Sequence, residues 1–332
     1  MSVIYISENG AKLGMSENRL TIKPKDGAEK SVPAETVSGI FILGKAELST
    51  PCMEQCLKRG IPVAFFSKGG TYFGRLISTD HVDAELQRAQ CTLYETPFAV
   101  EFSKRIISAK IINQLTVLRR YARSRQVPID DLEQKMLRCR EKVGNSEDIP
   151  QIMGYEGEAA KLYFSGLCKC LDPDFEFQGR SRRPPKDPFN SLISFGYSVL
   201  LNEIYCEIEL KGLNPYFGLT HQDREHHPTL ASDLLEEWRA VIVDSLAMSL
   251  LNGHEIGHDD FERDDQNDGC YLTHEGLRRY LSKFDSKLET RMQYVKSADK
   301  MTFRTAIGYQ INQLEKAIQE NDPSIYIPIQ VR

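Results

Sequence analysis

The sequence predicts an α+β protein, a small β-rich N-terminal domain followed by a larger all-α domain, on three observations. Short runs rich in Val, Ile, Tyr and Phe recur between turn signals up to about residue 80. From about residue 95 the apolar residues repeat at helical spacing over long stretches. No internal repeat or low-complexity tract breaks either pattern. The 332 residues are enough for two cores. The expected division is a β-rich domain over 1–80, a polar linker over 81–95 and a helical domain over 96–332.

In order, strands are expected over 3–7, 19–23, 39–43, 61–66 and 71–78. One helix interrupts them, with Thr50 as its N-cap, Pro51 in the first helical position and Gly60 ending it after Lys58 and Arg59. Gly69-Gly70 before Thr71 signals a hairpin. Helices are then expected over 98–125, 130–143, 154–170, 189–211, 232–252, 273–288 and 291–319. The Pro-rich stretch 182–188 reads as a rigid basic loop entering the fourth of these.

Hydrophobic and charged contents of 41% and 27% are ordinary for a soluble globular protein. No apolar run approaches the ~18 residues that span a bilayer. The N-terminal apolar residues follow no basic segment, so they read as a strand rather than a signal peptide, and a cytoplasmic location is expected. The eight cysteines are scattered without C-x-x-C pairs or disulfide spacing, which argues against structural zinc. Cys52 and Cys56, four apart beside Met53 and Leu57, read as core.

A net charge of −5 argues against a chain that coats nucleic acid indiscriminately, but it permits a local basic surface. Lys104, Arg105, Lys110, Arg119, Arg120, Arg123 and Arg125 follow one another with no acid between them. A solvated helix face or a phosphate-facing one accounts for such a run. Lys104, Arg105, Lys110, Arg182, Arg183 and Arg239 are the expected DNA contacts.

Within the expected helix 154–170, Ala160, Tyr163, Phe164 and Leu167 form an apolar stripe, and Glu156 falls on it. Glu158 and Lys161 fall off it. A carboxylate aimed inward loses several kcal/mol of hydration unless a metal, a base or a solvent mouth meets it. The alternative is a helix-start glutamate favoured by the helix dipole. A second stretch runs from Gly218 to His221 and on to a helix start, with Ser232 as expected N-cap and Leu235, Trp238, Val241, Ile242 and Leu246 as its buried face. Asp233 and Glu236, three apart, share a face of its first turn. Alone they complement the dipole. Together, Glu156, His221, Asp233 and Glu236 form a hard ligand set suited to Mn²⁺ or Mg²⁺. Such an ion polarises a phosphoryl oxygen. Arg239 would serve phosphate or orient a carboxylate.

His254-Glu255-Ile256-Gly257-His258 matches the zinc-protease pattern H-E-x-x-H, but Asn252-Gly253 before it and Gly257 inside it deny it a helix. Position 264 is Asp, so the extended form of the motif fails too. A loop with exposed histidines is expected there, and likewise at His226 and His227.

These stretches resemble the CRISPR-associated spacer integrase, the catalytic subunit of the adaptation complex of prokaryotic immune systems. The family carries a Gly-x-Glu-Gly run before an alanine/aromatic helix, matched from Gly154 to Phe164. It carries a Gly-x-x-His segment before a Ser/Thr-Leu-Ala-x-Asp-Leu-x-Glu helix start, matched from Gly218 to His221 and from Thr229 to Glu236. Further matches are Ala109-Lys110-Ile111-Ile112-Asn113-Gln114, Asp187-Pro188-Phe189-Asn190 with Phe195-Gly196-Tyr197, and Asn252-Gly253 with Asp260-Phe261. The resemblance runs nearly end to end and implies a metal-dependent DNA nuclease and integrase. Glu156, His221 and Glu236 are then the metal ligands and Asp233 a neighbouring carboxylate. It implies double-stranded DNA as substrate, both protospacer and CRISPR repeat. It also implies homodimers formed through the β domain and assembly with a small ferredoxin-like partner subunit.

Overall fold

The computed structural model describes residues 2–175, 177–293 and 299–331. The N-terminal region contains β1 (Ser2–Ile6), β2 (Lys12–Ser16), β3 (Arg19–Lys23), β4 (Lys30–Pro33), β5 (Val37–Leu43), β6 (Glu47–Leu48), α1 (Thr50–Lys58), β7 (Val63–Phe66) and β8 (Tyr72–Leu76). Two four-stranded sheets result, ordered β1-β5-β7-β8 and β4-β3-β2-β6. β5 lies between β1 and β7, parallel to both, with Ile40 opposite Ile4 and Val63.

Strand alternation gives β5 two jobs. Ile40 and Ile42 join Cys52, Cys56 and Val63 in a small core under α1. Phe41 and Leu43 point the other way, into the core of the helical region. The α1 cap is Ser49 rather than Thr50, because its hydroxyl accepts the Cys52 amide.

The helical region contains α2 (Ala84–Thr92), α3 (Pro97–Arg125), α4 (Asp130–Gly144), α5 (Ile149–Cys170), α6 (Pro188–Leu210), α7 (Thr229–Leu235), a π-helical turn (Ala240–Asp244) and α8 (Ser245–Asn252). A hairpin of β9 (Phe261–Asp264) and β10 (Gly269–Leu272), α9 (His274–Leu288), β11 (Arg291–Met292), β12 (Met301–Thr302) and α10 (Phe303–Glu320) complete it. No helix among the described residues is long and apolar enough to cross a membrane.

Four expectations change. The stretch 81–95, expected as a linker, holds α2, capped by Asp83, whose carboxylate accepts the Glu85 and Leu86 amides. Its buried Gln90 ties the Asn214 and Phe217 carbonyls, each at 2.8 Å. α5 begins five residues earlier than expected (149 against 154), since Asp148 caps it and Pro150 suits its first turn. The helix expected over 232–252 is broken by the π turn, where an extra residue enters the ladder and shifts the 3.6-residue period. The last helix starts at Phe303 under a Thr302 cap, not at 291, and positions 294–298 of that expectation lie outside the described residues.

After α10, residues 326–331 lie back against the middle of the helical region. Buried Glu237 accepts the Tyr326 hydroxyl, the Ile329 amide at 2.7 Å and the Gln310 amide group at 3.3 Å. Asn113 of α3 accepts the Val331 amide at 3.0 Å and donates to the Glu237 and Ile329 carbonyls.

Candidate active site

Because α5 starts at Ile149, Glu156 lies in the helix interior, which removes the reading of it as a helix-start acid. The deep face of α5 is Ile152, Ala159, Tyr163 and Leu167. Glu156, Ala160 and Phe164, at i, i+4 and i+8, line a cleft of about 800 Å³ instead. Glu158 and Lys161 are exposed, off both faces.

The Gly218–His221 turn is built around Asp233. Gly218 is needed for close approach, since a Cβ there would fall 2.7 Å from the Thr229 side chain. With the chain held that close, Asp233 accepts the backbone amides of Leu219, Thr220 and His221 at 2.7, 2.9 and 3.0 Å. It also meets His221 Nδ1 at 2.6 Å. Four donors fill this fully buried carboxylate. Asp233 therefore aims the imidazole, the common partner arrangement of a metal-binding histidine. Burial alone would lower the His221 pKa, but the Asp233 bond and charge outweigh it and raise it.

His221 Nε2 faces Glu236 Oε1 at 3.7 Å, and Arg239 Nη2 pairs with the same oxygen at 3.0 Å. The other oxygen, Glu236 Oε2, contacts the ammonium of Lys110, which also contacts Glu156 Oε1. One chain of contacts thus joins α5, α3, α7 and the His221 turn. Burial would push the Glu236 pKa up, yet Arg239, Lys110 and His221 together hold it below the usual range. Next to it, Glu237 has hydrogen-bond donors but no cation, and burial pushes it up to about 7. Ser232 is not the N-cap expected of it. The helix starts at Thr229, and the Ser232 hydroxyl bonds His227 Nε2 at 2.9 Å.

The donor set fits a hard divalent ion. Two carboxylates and a ring nitrogen lie along one chain of contacts, and Glu236 among them is almost fully buried. Their present spacing is open, however. Among the described residues, Asp172, Asp174 and His254 are the group with all ligand atoms within 4.8 Å of one another.

The basic residues divide. Arg182, Arg183 and Arg239 line the cleft together with Lys68, Arg75 and Arg180, which the sequence reading missed. The Asp187 cap fixes the Arg180–Arg183 loop: it accepts the Asn190 amide at 2.8 Å, and Asn190 Oδ1 then holds the Ser181 amide and Arg180 Nη1. Arg180 stands two residues before Arg182 in that same loop, a signal that was available. Lys104 and Arg105 are outside the cleft lining, and Lys104 pairs with Glu101 at 2.8 Å. Lys110, expected on phosphate, is buried between two carboxylates. Arg119 and Arg125 meet Glu133 and Asp172 at 2.5 and 2.7 Å, so acids from other elements neutralise a run that has none in sequence.

The H-E-x-x-H motif follows the end of α8 and is not helical. His258 stacks on Phe175 with ring centroids 4.9 Å apart, and His254 meets the same ring tilted at 6.0 Å.

A family model described as CRISPR associated protein Cas1 matches residues 4–286. The CRISPR-associated endonuclease Cas1 of Mycobacterium tuberculosis (strain CDC 1551 / Oshkosh) is 32% identical over 333 residues, 100% of this chain and 98% of that protein. A chain of a solved Cas6-RT-Cas1–Cas2 complex aligns at 25% identity with a TM-score of 0.82, over 98% of this chain and 36% of that one. A casposase bound to integration product aligns with a TM-score of 0.86 over 97% of this chain and 92% of that one; at 22% identity this speaks for the fold alone. The chain therefore belongs to the CRISPR-associated Cas1 family and to the enzyme class of its endonucleases.

Proposed function

We propose that this chain is a metal-dependent DNA integrase of CRISPR adaptation, with Glu156, His221 and Glu236 holding Mn²⁺ or Mg²⁺. The observation that carries the reading is the meeting of two carboxylates and an oriented imidazole beside a cleft rimmed by Arg180, Arg182, Arg183 and Arg239. The bound ion supplies Lewis acidity at the phosphoryl oxygen. The arginines hold the phosphate backbone without reading sequence. Asp233 keeps the His221 ring turned, and the cleft admits a protospacer 3′-hydroxyl in line with a phosphodiester of the repeat. A new phosphorus–oxygen bond forms as the old one breaks, and the proton of the attacking hydroxyl ends on solvent or on the departing 3′-oxygen.

The further parts of the reading follow the family. Residues 1–80 are the dimerisation unit and 96–332 the catalytic and DNA-binding unit. Support for pairing is β8, an edge strand carrying Phe73 at 70% exposure. A small ferredoxin-like subunit is the second protein partner, in keeping with the Cas2 of the solved complex. The site of action is the cytoplasm, supported by eight cysteines that are all unpaired.

The test is Glu156→Ala. It should abolish cleavage and strand joining, keep DNA binding, and lose the rise in melting temperature that Mn²⁺ gives the unaltered protein by binding its native state. Glu158→Ala, exposed and off the cleft, should keep activity. If Glu158→Ala were the more damaging change, the assignment would be wrong.

A further inference from the structure

Lys110 fills the space that a bridging ion would need. Its side chain is 7% exposed, and its ammonium touches a carboxylate oxygen of Glu156 and one of Glu236 at once. Glu236 Oε2 is buried, and Lys110 is the cation it meets. An ion cannot bridge the same two oxygens while the ammonium lies between them.

Charge points the same way. Glu156, Glu236 and Asp233 supply three negative charges, and Lys110 and Arg239 supply two positive ones. A divalent ion added to that set brings four positive charges against three, in a setting too dry to screen them. With the ion in place of Lys110 the count is three against three.

The displaced ammonium has a destination. Gln114 lies one helical turn along α3 from Lys110, so the two side chains share a face. It is 4% exposed, lines the same cleft, and its carbonyl oxygen has no hydrogen-bond partner. A buried acceptor left unpaired is costly, and an ammonium is a donor with three hydrogens to give.

We propose that Lys110 is a resident counter-cation, which holds Glu156 and Glu236 together before a divalent ion arrives and is displaced by that ion toward Gln114 and the phosphates of bound DNA. This rests on the metal-site reading above. It makes ion and DNA binding mutually reinforcing, because the ion frees a positive charge for the phosphate and the phosphate receives it.

Amine footprinting of the full chain tests the displacement in the unaltered protein. With the ion chelated, Lys110 should resist acetylation. With Mg²⁺ present its labelling should rise several-fold, while Lys104, paired outside the cleft, stays constant. Unchanged Lys110 labelling, alongside a Mg²⁺-induced rise in melting temperature that Glu156→Ala removes, would overturn the displacement and leave the metal site standing. No stabilisation of the unaltered protein by Mg²⁺ would overturn both. Calorimetry of Lys110→Met gives a second readout: Mn²⁺ should bind at least tenfold more tightly, because no ammonium opposes it. Equal or weaker binding overturns the proposal. If that variant folds only with Mn²⁺ present, the dependence supports it, and if it does not fold at all, the footprint decides.

Discussion

Asp172, Asp174 and His254 offer a divalent ion the same chemistry as Glu156, Glu236 and His221, two carboxylates and an imidazole, in opposite surroundings. The first group is the more tightly spaced. Yet Arg125 already satisfies Asp172, holding its carboxyl below the usual range. Asp174 and His254 are exposed, and the His254 ring leans tilted against Phe175. Water serves such groups well, so an ion gains little by entering. In the second group Glu236 is 2% exposed, so water is kept from it, and the imidazole is fixed by Asp233. Spacing favours the first group and burial the second. What counts is how much the ligands lack without the ion.

The largest expected effect breaks the comparison directly. Glu236→Gln should lower cleavage and joining by more than about a hundredfold, beyond the 10–100-fold range of outer partners. Asp174→Ala should change neither activity nor, by more than about 0.5 kcal/mol, stability. A gel assay of both variants settles which group does chemistry.

Asp233→Asn probes the support of the second group. It keeps the shape but puts an amide donor among four donors. Mn²⁺ affinity should fall about 10–100-fold, as for other partners that orient a ligand, with DNA affinity in the absence of the ion unchanged. Calorimetry with Mn²⁺ measures it, and an unchanged affinity would return Asp233 to a purely structural role.

The last effect, on stability alone, concerns a buried acid beside the cleft that binds no cation closely. Burial pushes Asp244 up from 3.8 to about 6, despite hydrogen bonds from Tyr197 and Tyr163. A raised carboxyl keeps its proton in the folded state where the unfolded chain has released it. Stability should therefore fall as pH rises from about 4 to 6 and level off above that. At about 1.4 kcal/mol per unit, the contribution is on the order of 2–3 kcal/mol. Asp244→Asn should flatten that slope in urea melts across the window. A slope unchanged in the variant would assign it to other groups.

Much of this was legible in the sequence, and the reasons are local. Glu156 was found because a carboxylate stood on an apolar stripe, and Asp233 with Glu236 because three residues set one face. The β-then-α order followed from the change of period near residue 80–95. What stayed hidden depended on partners distant in the chain. Lys110 read as one more base in a run without acids, because Glu156 comes from α5 and Glu236 from the end of α7. The acids that pair Arg119 and Arg125, Glu133 and Asp172, were hidden for the same reason. The π turn was invisible to a 3.6-residue period, and α2 was too polar to stand out from a linker. The exposed H-E-x-x-H loop was rejected correctly from its glycines.

The hold of Glu237 and Asn113 on residues 326–331 has a consequence for how the enzyme is made. The bonds joining Glu237 to Ile329 and Asn113 to Val331 span 92 and 218 residues of chain. Contacts at such separations form late, and synthesis delivers the chain from its N-terminus. Until residues 326–331 are in place, the acid next to Glu236 lacks two of its three donors and α3 lacks its brace. The groups beside the candidate site are thus among the last to be satisfied as the chain folds.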